Sequence, residues 1–599
     1  TNLKSAIHNL PLEYGFKVAS YDKTKDLIID PLLASTYVGG SDYDRALSIA
    51  IDTGGNVYVG GSTISSNFPT TTGVYDTSFN GGASDAFLLK FDSDLNNLLA
   101  STYLGGTKDD YIYSIVIDTG GNIYMCGDTG SSDFPTTTGA YDTSINNGSN
   151  YYDGFVSKLD SGLTSLLAST YLGGSNSDHP RSVTKDSGGN IYVSGTTYSS
   201  DFPVTTGVYD TSFNGGVFDS FISKFNGTLA SLLASTYLGG SGKESSQSHA
   251  PSLAIDTSGN ILVTGTTYSS DFPTTTGVYD TSLGGDRDAY VSKISGDLTN
   301  LLASTYLGGS IYDEGYSIAG DSSGNIYVVG YTYSSDFPTT TGAYDTSYNS
   351  GNDAFVSKFN GSLTGLLAST YLGGSNGDEA NALVIDSSGN IYIAGFTDSS
   401  EFPTTASAYD TSRGGATDAF ISEFNGALTS LLASTYLGGS GIGDVCYSLA
   451  IDSGGNIYAT GYTKSSDFPT TTGAYDTSYN DSSGSYDTFI AKLDSSLSAT
   501  PSDTTAPTGS LNINSGASYT NSSTVSLTLS ATDSTGVTGY YLSDSSTTPS
   551  ASASGWTSVT STTGYSASVS YSLSGGEGSK TIYAWYKDAA GNVSSTASA

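Results

Sequence analysis

From Leu32 to Leu497 the apolar residues come in short runs of leucine, β-branched and aromatic side chains, separated by clusters of Gly, Asn, Asp, Ser and Thr. The window 301–359 shows the pattern. Leu301 to Leu307 forms one run and stops at Gly308-Gly309. Tyr316 to Ala319 and Ile326 to Val329 flank Asp321-Ser322-Ser323-Gly324-Asn325, and Ala354 to Phe359 ends the window. Gly and Asn accept positive φ and an Asp carboxylate can cap its own turn, so the Asp-Ser-Ser-Gly-Asn segment predicts a tight turn. Helical periodicity is missing, and the prediction is four antiparallel strands per unit. The run Leu47-Ser48-Ile49-Ala50-Ile51 is apolar on both sides, which predicts a strand covered by neighbours on both faces.

The pattern repeats. Ser-Thr-Tyr-Leu-Gly-Gly, or a near copy, occurs seven times, with its tyrosine at Tyr37, Tyr103, Tyr171, Tyr237, Tyr306, Tyr371 and Tyr436. Separations of 66, 68, 66, 69, 65 and 65 residues describe one unit built seven times. Seven four-stranded units predict an all-β fold, a closed seven-bladed β-propeller. The array is offset at its ends: a complete motif at Leu33–Val38 precedes the first three-strand set, and the last set ends at Phe489–Leu493 with no motif after it. The motif strand is therefore expected to be the outer strand, and residues 32–38 to pair with 488–493 so that the ring keeps no open edge. The expected organisation is a lead-in over 1–31, the propeller over 32–497, a Pro/Ser/Thr linker over 498–507 and a separate module over 508–599. In that module Val525 to Leu529 and Thr581 to Tyr586 alternate as half-buried strands do. Both tryptophans, Trp556 and Trp585, are expected in its one small core, and its short strands predict an Ig-like β-sandwich.

Charge narrows the partners. The chain has 599 residues and a net charge of −37, from 57 acidic and 20 basic residues. Such a surface repels nucleic acid and anionic lipid and attracts hard cations, calcium above all. The 46 tyrosines, the 22 phenylalanines and the strict repeat set the chain apart from disordered acidic sequences. Cys126 and Cys446 fall at unrelated places in the repeat, which argues against a disulfide, and one Met and three His leave little for redox or thiolate–metal chemistry. No run of eighteen apolar residues predicts a membrane span. The chain opens at Thr1 with neither Met nor a signal-like segment and is expected to be a mature or excised piece.

Four motifs carry a family resemblance: the hexapeptide, Gly-Asn-Ile-Tyr at Gly324–Tyr327, Ser-Asp-Phe-Pro at Ser335–Pro338 and Asp-Ala-Phe-Val-Ser-Lys at Asp353–Lys358. Together they make the units resemble the bacterial SBBP-type β-propeller repeat. Gly15–Val18 through Leu27–Pro31 resembles the lead-in that precedes such propellers. Asp503–Pro507 and Asp588–Asn592 resemble bacterial surface Ig-like repeats, which often occur in tandem, so a parent protein is expected to continue past Ala599. The resemblance implies a secreted or surface location and supplies no catalytic residues.

Candidate chemistry gathers in the long connection of each unit, which holds a Ser-Asp-Phe-Pro step, a Tyr-Asp-Thr-Ser step and an Asp before the next strand. Strand order puts it on the same face as the Gly-Gly-Ser-x-x-Asp connection. In the fifth unit the carboxylates are Asp313, Asp336, Asp345 and Asp353. They are candidate calcium ligands together with loop carbonyls, or makers of Asx turns that bind nothing; repetition fits both. Asn67 and Glu401 replace the Asp of the Phe-Pro step in two units. The Asp-x-x-Gly-Asn turns, as at Asp321, are expected on the opposite face as structural turns. Of the histidines, His8 lies in the lead-in, while His179 and His249 lie in consecutive blades and could meet near the channel mouth. No Ser-His-Asp or metal–His set is recognisable. Thr339-Thr340-Thr341 and similar runs are open to O-linked sugars, and Asn226-Gly227-Thr228 and Asn360-Gly361-Ser362 fit N-glycosylation sequons. The expectation is a non-catalytic secreted or cell-surface structural or adhesion protein, such as an S-layer, sheath or extracellular filament subunit. Its partners would be copies of itself, other surface proteins or glycans. The alternatives are a calcium-dependent lectin-like module and a polysaccharide-active enzyme.

Overall fold

Seven sheets of four antiparallel strands account for residues 32–493 in the computed structural model. It describes residues 31–146, 151–244, 251–480, 484–497, 505–551, 553–588 and 591–599. The predicted lead-in up to Asp30, the linker up to Thr504, His8 and His249 lie outside these described residues. Blade 1 consists, from inner to outer strand, of Asp44–Ile51, Val57–Thr63, Asp85–Phe91 and Leu98–Leu104. Blades 2 to 6 keep this order, with inner strands starting at Asp110, Asp178, Ser252, Asp313 and Asp378. Blade 7 contributes Asp444–Ile451, Ile457–Thr463 and Asp487–Leu493, and its outer strand is Leu32–Val38. Leu32 lies opposite Leu493 and Val38 opposite Thr488, so the expected closure forms. The inner strands touch one another in sequence round the ring, the last against the first. Core clusters lie between sheets, as where Tyr58, Ala86 and Leu88 of blade 1 meet Ile112, Ile115 and Met125 of blade 2.

The Ser-Thr-Tyr motif fastens the long connection of its own blade. In blade 5 the buried Tyr371 donates its hydroxyl to the Ser334 carbonyl at 2.9 Å and sets its ring against Phe337, centroids 6.0 Å apart. Thr370 Oγ1 accepts the Asp345 N–H at 2.8 Å, and the Ser369 N–H donates to Thr340 Oγ1 at 3.0 Å. The tyrosine bond recurs in the other six blades at 2.6–3.0 Å. The same connection then reaches the next blade, where the Tyr344 N–H donates to the Leu428 carbonyl at 2.9 Å. Leu428 has φ +55, as do Leu95, Leu163, Leu229, Leu298, Leu363 and Leu497 within a few degrees, and all seven are fully buried. A left-handed backbone costs a branched residue roughly 1–2 kcal/mol, offset here by burial of the side chain. The seventh bond runs from Tyr475 of blade 7 to Leu95 of blade 1 at 3.1 Å.

A lysine of the third strand makes a further link between blades. Lys358 Nζ donates to the Gly426 carbonyl of the next blade at 2.7 Å, and Lys224 Nζ to that of Gly296 at 2.8 Å. Blade 6 has Glu423 at this place, and burial pushes its carboxyl up to about 7.

Residues 505–599 belong to a second compact unit. Its long strand Thr524–Ser543 pairs on one side with Thr557–Ser572 and on the other first with Thr508–Ile513, then with Tyr583–Asp588, giving one antiparallel sheet with Ala597–Ser598 at its edge. Val525, Leu527 and Leu529 point into the core as their alternation predicts. Trp585 is fully buried but Trp556 only half-buried; the two flank Tyr541, with centroids at 6.1 and 5.6 Å. The two tryptophans therefore come together at Tyr541, but the core of Val525, Leu527, Leu529, Ala584 and Tyr586 contains neither, contrary to the expectation.

Two stability outcomes follow. Tyr371→Phe removes one of two donors to the Ser334 carbonyl, which keeps the Phe337 N–H at 3.1 Å, and is expected to cost about 0.5–1.5 kcal/mol in urea unfolding; an unchanged midpoint contradicts the anchoring role. Glu423→Lys restores the link between blades. Because the folded carboxyl titrates above its ordinary value, the parent is penalised as pH rises towards and past about 7. The melting-temperature gain of the variant should therefore be larger at pH 8 than at pH 5.

Candidate functional site

In six blades the inner strand carries one residue more than its partner. In blade 2 the register passes from Ile112 opposite Gly127 to Ser114 opposite Cys126, leaving Tyr113 unpaired. Such a bulge turns its side chain away from the sheet. The same break falls at Leu47, Arg181, Tyr316, Asn381 and Tyr447. All six, with Pro251 of blade 4, line a cavity of about 200 Å3 where the seven inner strands meet. The residue after the bulge is serine in six blades, and in four of them, Ser48, Ser114, Ser182 and Ser448, its hydroxyl accepts an N–H of the next inner strand. Ile115 N–H donates to Ser48 Oγ at 3.1 Å, Val183 N–H to Ser114 Oγ at 3.1 Å, and Ile49 N–H closes the ring on Ser448 Oγ at 3.3 Å. Blade 6 has Ala382 there, and Asn381 Nδ2 bonds the Cys446 carbonyl instead, at 3.0 Å.

Two positions before the bulge stands a second row: Arg45, Tyr111, His179, Glu314, Glu379 and Val445. The outer strand reads Leu-Leu-Ala-Ser-Thr-Tyr in every blade, whereas these two rows differ from blade to blade. Their chemistry is asymmetric. The Arg45 guanidinium lies over the Tyr447 ring at 4.3 Å, and that of Arg181 over Tyr113 at 3.5 Å. Burial and the nearby Arg45 charge pull Arg181 down to about 9. Asp128 Oδ2 lies 2.5 Å from His179 Nδ1 and 3.7 Å from Arg181. Burial alone would lower His179, but the Asp128 bond and charge prevail and raise it above its ordinary value. Across the ring Arg287 pairs with Glu314 at 2.7 Å, while burial and the Glu314 charge push Glu379 up to about 7. Arg45 has no acid partner among the described residues, and its Nε lacks an acceptor. It borders a second cavity of about 330 Å3, lined also by Tyr43, Tyr111, Tyr113 and Tyr486. Aromatic faces beside a guanidinium that has no acid partner among the described residues suit a polar ring that carries a carboxylate.

The four predicted carboxylates do not form one group. Asp313 is buried at the start of its inner strand, where Oδ2 accepts from Gly309 N–H at 2.7 Å and Ser334 Oγ at 2.9 Å. Asp353, also buried, accepts from Asn349 N–H at 2.9 Å. Asp336 is exposed, and its Oδ1 caps Ser310, holding its pKa below the ordinary value. Asp345 Oδ1 accepts from Ser347 N–H at 2.8 Å, an Asx turn. Asp313 faces Asp288 of the preceding blade and Asp353 faces Asp378 of the following one, because each heads a strand at a different seam. Among the described residues no three His, Cys, Asp or Glu side chains are placed to hold a metal ion together. The turn at Asp321 is structural as expected, with Oδ1 accepting from Ser323 and Asn325 N–H at 2.9 and 2.8 Å. Cys126 and Cys446 are buried and unbonded. Among the described residues no helix is long and apolar enough to cross a membrane.

The motif search missed the channel rows because it followed what the repeats share. Arginine was the available signal: the chain has only Arg45, Arg181, Arg287 and Arg413; the first two come together here and Arg287 pairs with Glu314 of the second row.

Residues 35–69, 101–135, 169–203, 235–273, 304–338, 369–403 and 434–469 each match the model of the SBBP β-propeller repeat, so the chain carries seven such repeats. No curated protein matches the sequence. Among solved structures the chain is similar to a quinohemoprotein alcohol dehydrogenase from Pseudomonas putida, at 10% identity over 77% of this chain and 76% of that one, TM-score 0.34. A europium-containing methanol dehydrogenase matches at 9% over 74% and 81%, TM-score 0.34. A gluconolactonase from Xanthomonas campestris matches at 9% over 78% and 100%, TM-score 0.26. None of these likenesses bears on the activity of this chain.

Proposed function

We propose that the protein is a non-catalytic, secreted or cell-surface binding protein acting in adhesion, and that its channel takes a sugar bearing a carboxylate. The observation that carries this reading is the divergence of otherwise near-identical repeats at the two channel rows, which brings Arg45 and Arg181 together among tyrosine rings. The net charge of −37 opposes an acidic ligand at long range, but that field is screened beyond about 8 Å at physiological salt. Inside the channel the guanidiniums dominate. His179 Nδ1 and Glu314 are occupied by Asp128 and Arg287, which favours binding over turnover. The C-terminal unit reads as an Ig-like module of the kind carried by bacterial surface proteins.

Calorimetric titration with oligogalacturonate and its neutral counterpart tests the reading. Binding of the acidic sugar alone is expected, weakened at least about tenfold by Arg45→Ala, since a hydrogen bond to a charged group contributes about 1.5–3 kcal/mol. Equal affinity for both sugars, indifference to Arg45→Ala, or release of cleaved product would each refute it.

A second reading, assembly into a layer or filament, rests on the outer strands. Each leaves its second leucine 43–51% exposed, giving a belt from Leu33 to Leu432 round the rim. Ordered polymers in micrographs, lost when Leu302, Leu367 and Leu432 become Asp, would favour it. A monodisperse monomer at high concentration counts against it.

A further inference from the structure

At every seam between blades, the acid that opens a third strand meets the acid that opens the next inner strand. They flank the first glycine of Gly-Gly. A methyl group on Gly105 would lie 3.1 Å from Asp85 Oδ1 and 2.7 Å from Asp110 Oδ2; one on Gly373 would lie 2.8 Å from oxygens of both Asp353 and Asp378. All four carboxylates are fully buried, with 0% exposure.

Turn-making explains only one oxygen of each. Asp85 Oδ2 accepts from Asn80 N–H at 2.5 Å, and Asp110 Oδ2 from Gly106 N–H at 2.7 Å and Ser131 Oγ at 3.0 Å. Asp353 Oδ2 accepts from Asn349 N–H at 2.9 Å, and Asp378 Oδ2 from Gly374 N–H at 2.7 Å and Ser399 Oγ at 3.0 Å. The Oδ1 atoms of Asp85 and Asp353, the oxygens that face the glycine, are buried without a hydrogen-bond partner, while Asp110 and Asp378 also have the hydroxyls of Thr129 and Thr397 beside them. None of the four has a Lys, Arg or His ion pair among the described residues. A bare buried carboxylate oxygen is costly, and a second buried acid beside it makes it more so.

The repeat does not require this arrangement. In blades 4 and 6 Gly-Gly precedes the third strand, and both oxygens are used. Asp288 takes N–H bonds from Gly284 and Gly285 at 2.8 and 3.3 Å, Asp418 from Gly414 and Gly415 at 2.7 and 3.1 Å. At the seam of blades 3 and 4 the longer Glu244 takes the place of the second Asp, and its Oε1 accepts from the hydroxyls of Thr267 and Ser269. The bare oxygens of Asp85 and Asp353 lack the remedy of blades 4 and 6.

We propose that the Asp85–Asp110 and Asp353–Asp378 pairs each bind a hard divalent cation of the calcium class, which joins blade 1 to blade 2 and blade 5 to blade 6. Carboxylate oxygens from two strands supply the charge, and such ions complete their shell with carbonyls and water. The sites are independent of the channel and of any ligand there.

The whole chain, stripped with chelator, is the material for the test. Calcium titration at pH 8, followed by calorimetry and melting, is joined by terbium luminescence sensitised by Tyr103 and Tyr371, which stand close to Asp85 and Asp353. Millimolar calcium is expected to raise the melting temperature by several degrees. Asp85→Asn and Asp353→Asn should each remove one bound ion, while Asp288→Asn removes none. In chelator both variants should melt no lower than the parent, since each relieves a buried charge. The calcium gain should shrink at pH 5, where protons compete for carboxyls that burial has raised to about 7. Asp76 and Asp109 facing Asp85, Asp345 facing Asp353 and Asp398 facing Asp378 strengthen that competition. No stabilisation by calcium at pH 8, unchanged stoichiometry in Asp85→Asn and Asp353→Asn, or a lower melt of these variants in chelator would overturn the assignment.

Discussion

The architecture depends on a strap. A four-stranded sheet with two apolar faces needs a neighbour on each side, and a ring of such sheets holds only if every seam is tied. Here one long connection does most of the tying: Ser, Thr and Tyr of the outer strand pin it to its own blade, and its next tyrosine N–H binds the left-handed leucine of the following blade. The leucine cannot relax to an ordinary backbone without withdrawing that carbonyl. Local strain is thus held by burial of its side chain, and the seam is set by it. The serine ladder at the axis and the lysines of the third strands are secondary ties of the same kind.

Most of this fold is legible in the sequence, because its signals are periodic. The offset of the first Ser-Thr-Tyr motif is enough to place Leu32–Val38 in blade 7, and the alternation of Val525, Leu527 and Leu529 is enough to place their faces. The bulges are not legible. An extra residue at Tyr113 or Arg181 leaves no mark in composition, and only the register with the second strand shows that it leaves the sheet. Nor can spacing reveal that Arg45 of blade 1 stacks on Tyr447 of blade 7, since that contact exists only because the ring closes. Trp556 illustrates the reverse limit: a large aromatic residue is expected inside, yet it flanks Tyr541 from a half-exposed position.

The acidic loops show why residue type and spacing mislead about chemistry. Asp313, Asp336, Asp345 and Asp353 fall on one connection region, but Asp336 and Asp345 spend their oxygens on nearby backbone and side chains. Asp313 and Asp353 instead head strands at different seams, where each meets an acid from a neighbouring blade. The relevant unit is therefore the seam, which no single repeat contains. A search within one copy of the motif groups the wrong four residues.

Repetition and variation divide the molecule between construction and recognition. Residues common to all blades, such as the motif tyrosines and the left-handed leucines, satisfy demands that every seam makes equally. Residues that vary between blades cannot serve such a demand, so their identities are free to answer something outside the fold. In the channel this freedom has produced a cationic side at Arg45 and Arg181 and an acidic side at Glu314 and Glu379. The fold gains nothing evident from bringing two of the four arginines, Arg45 and Arg181, together at the axis. They repel each other there, and Arg181 is pulled down by burial and by the Arg45 charge. A like-charged pair at the axis of an otherwise acidic ring accords with the anionic ligand proposed for the channel.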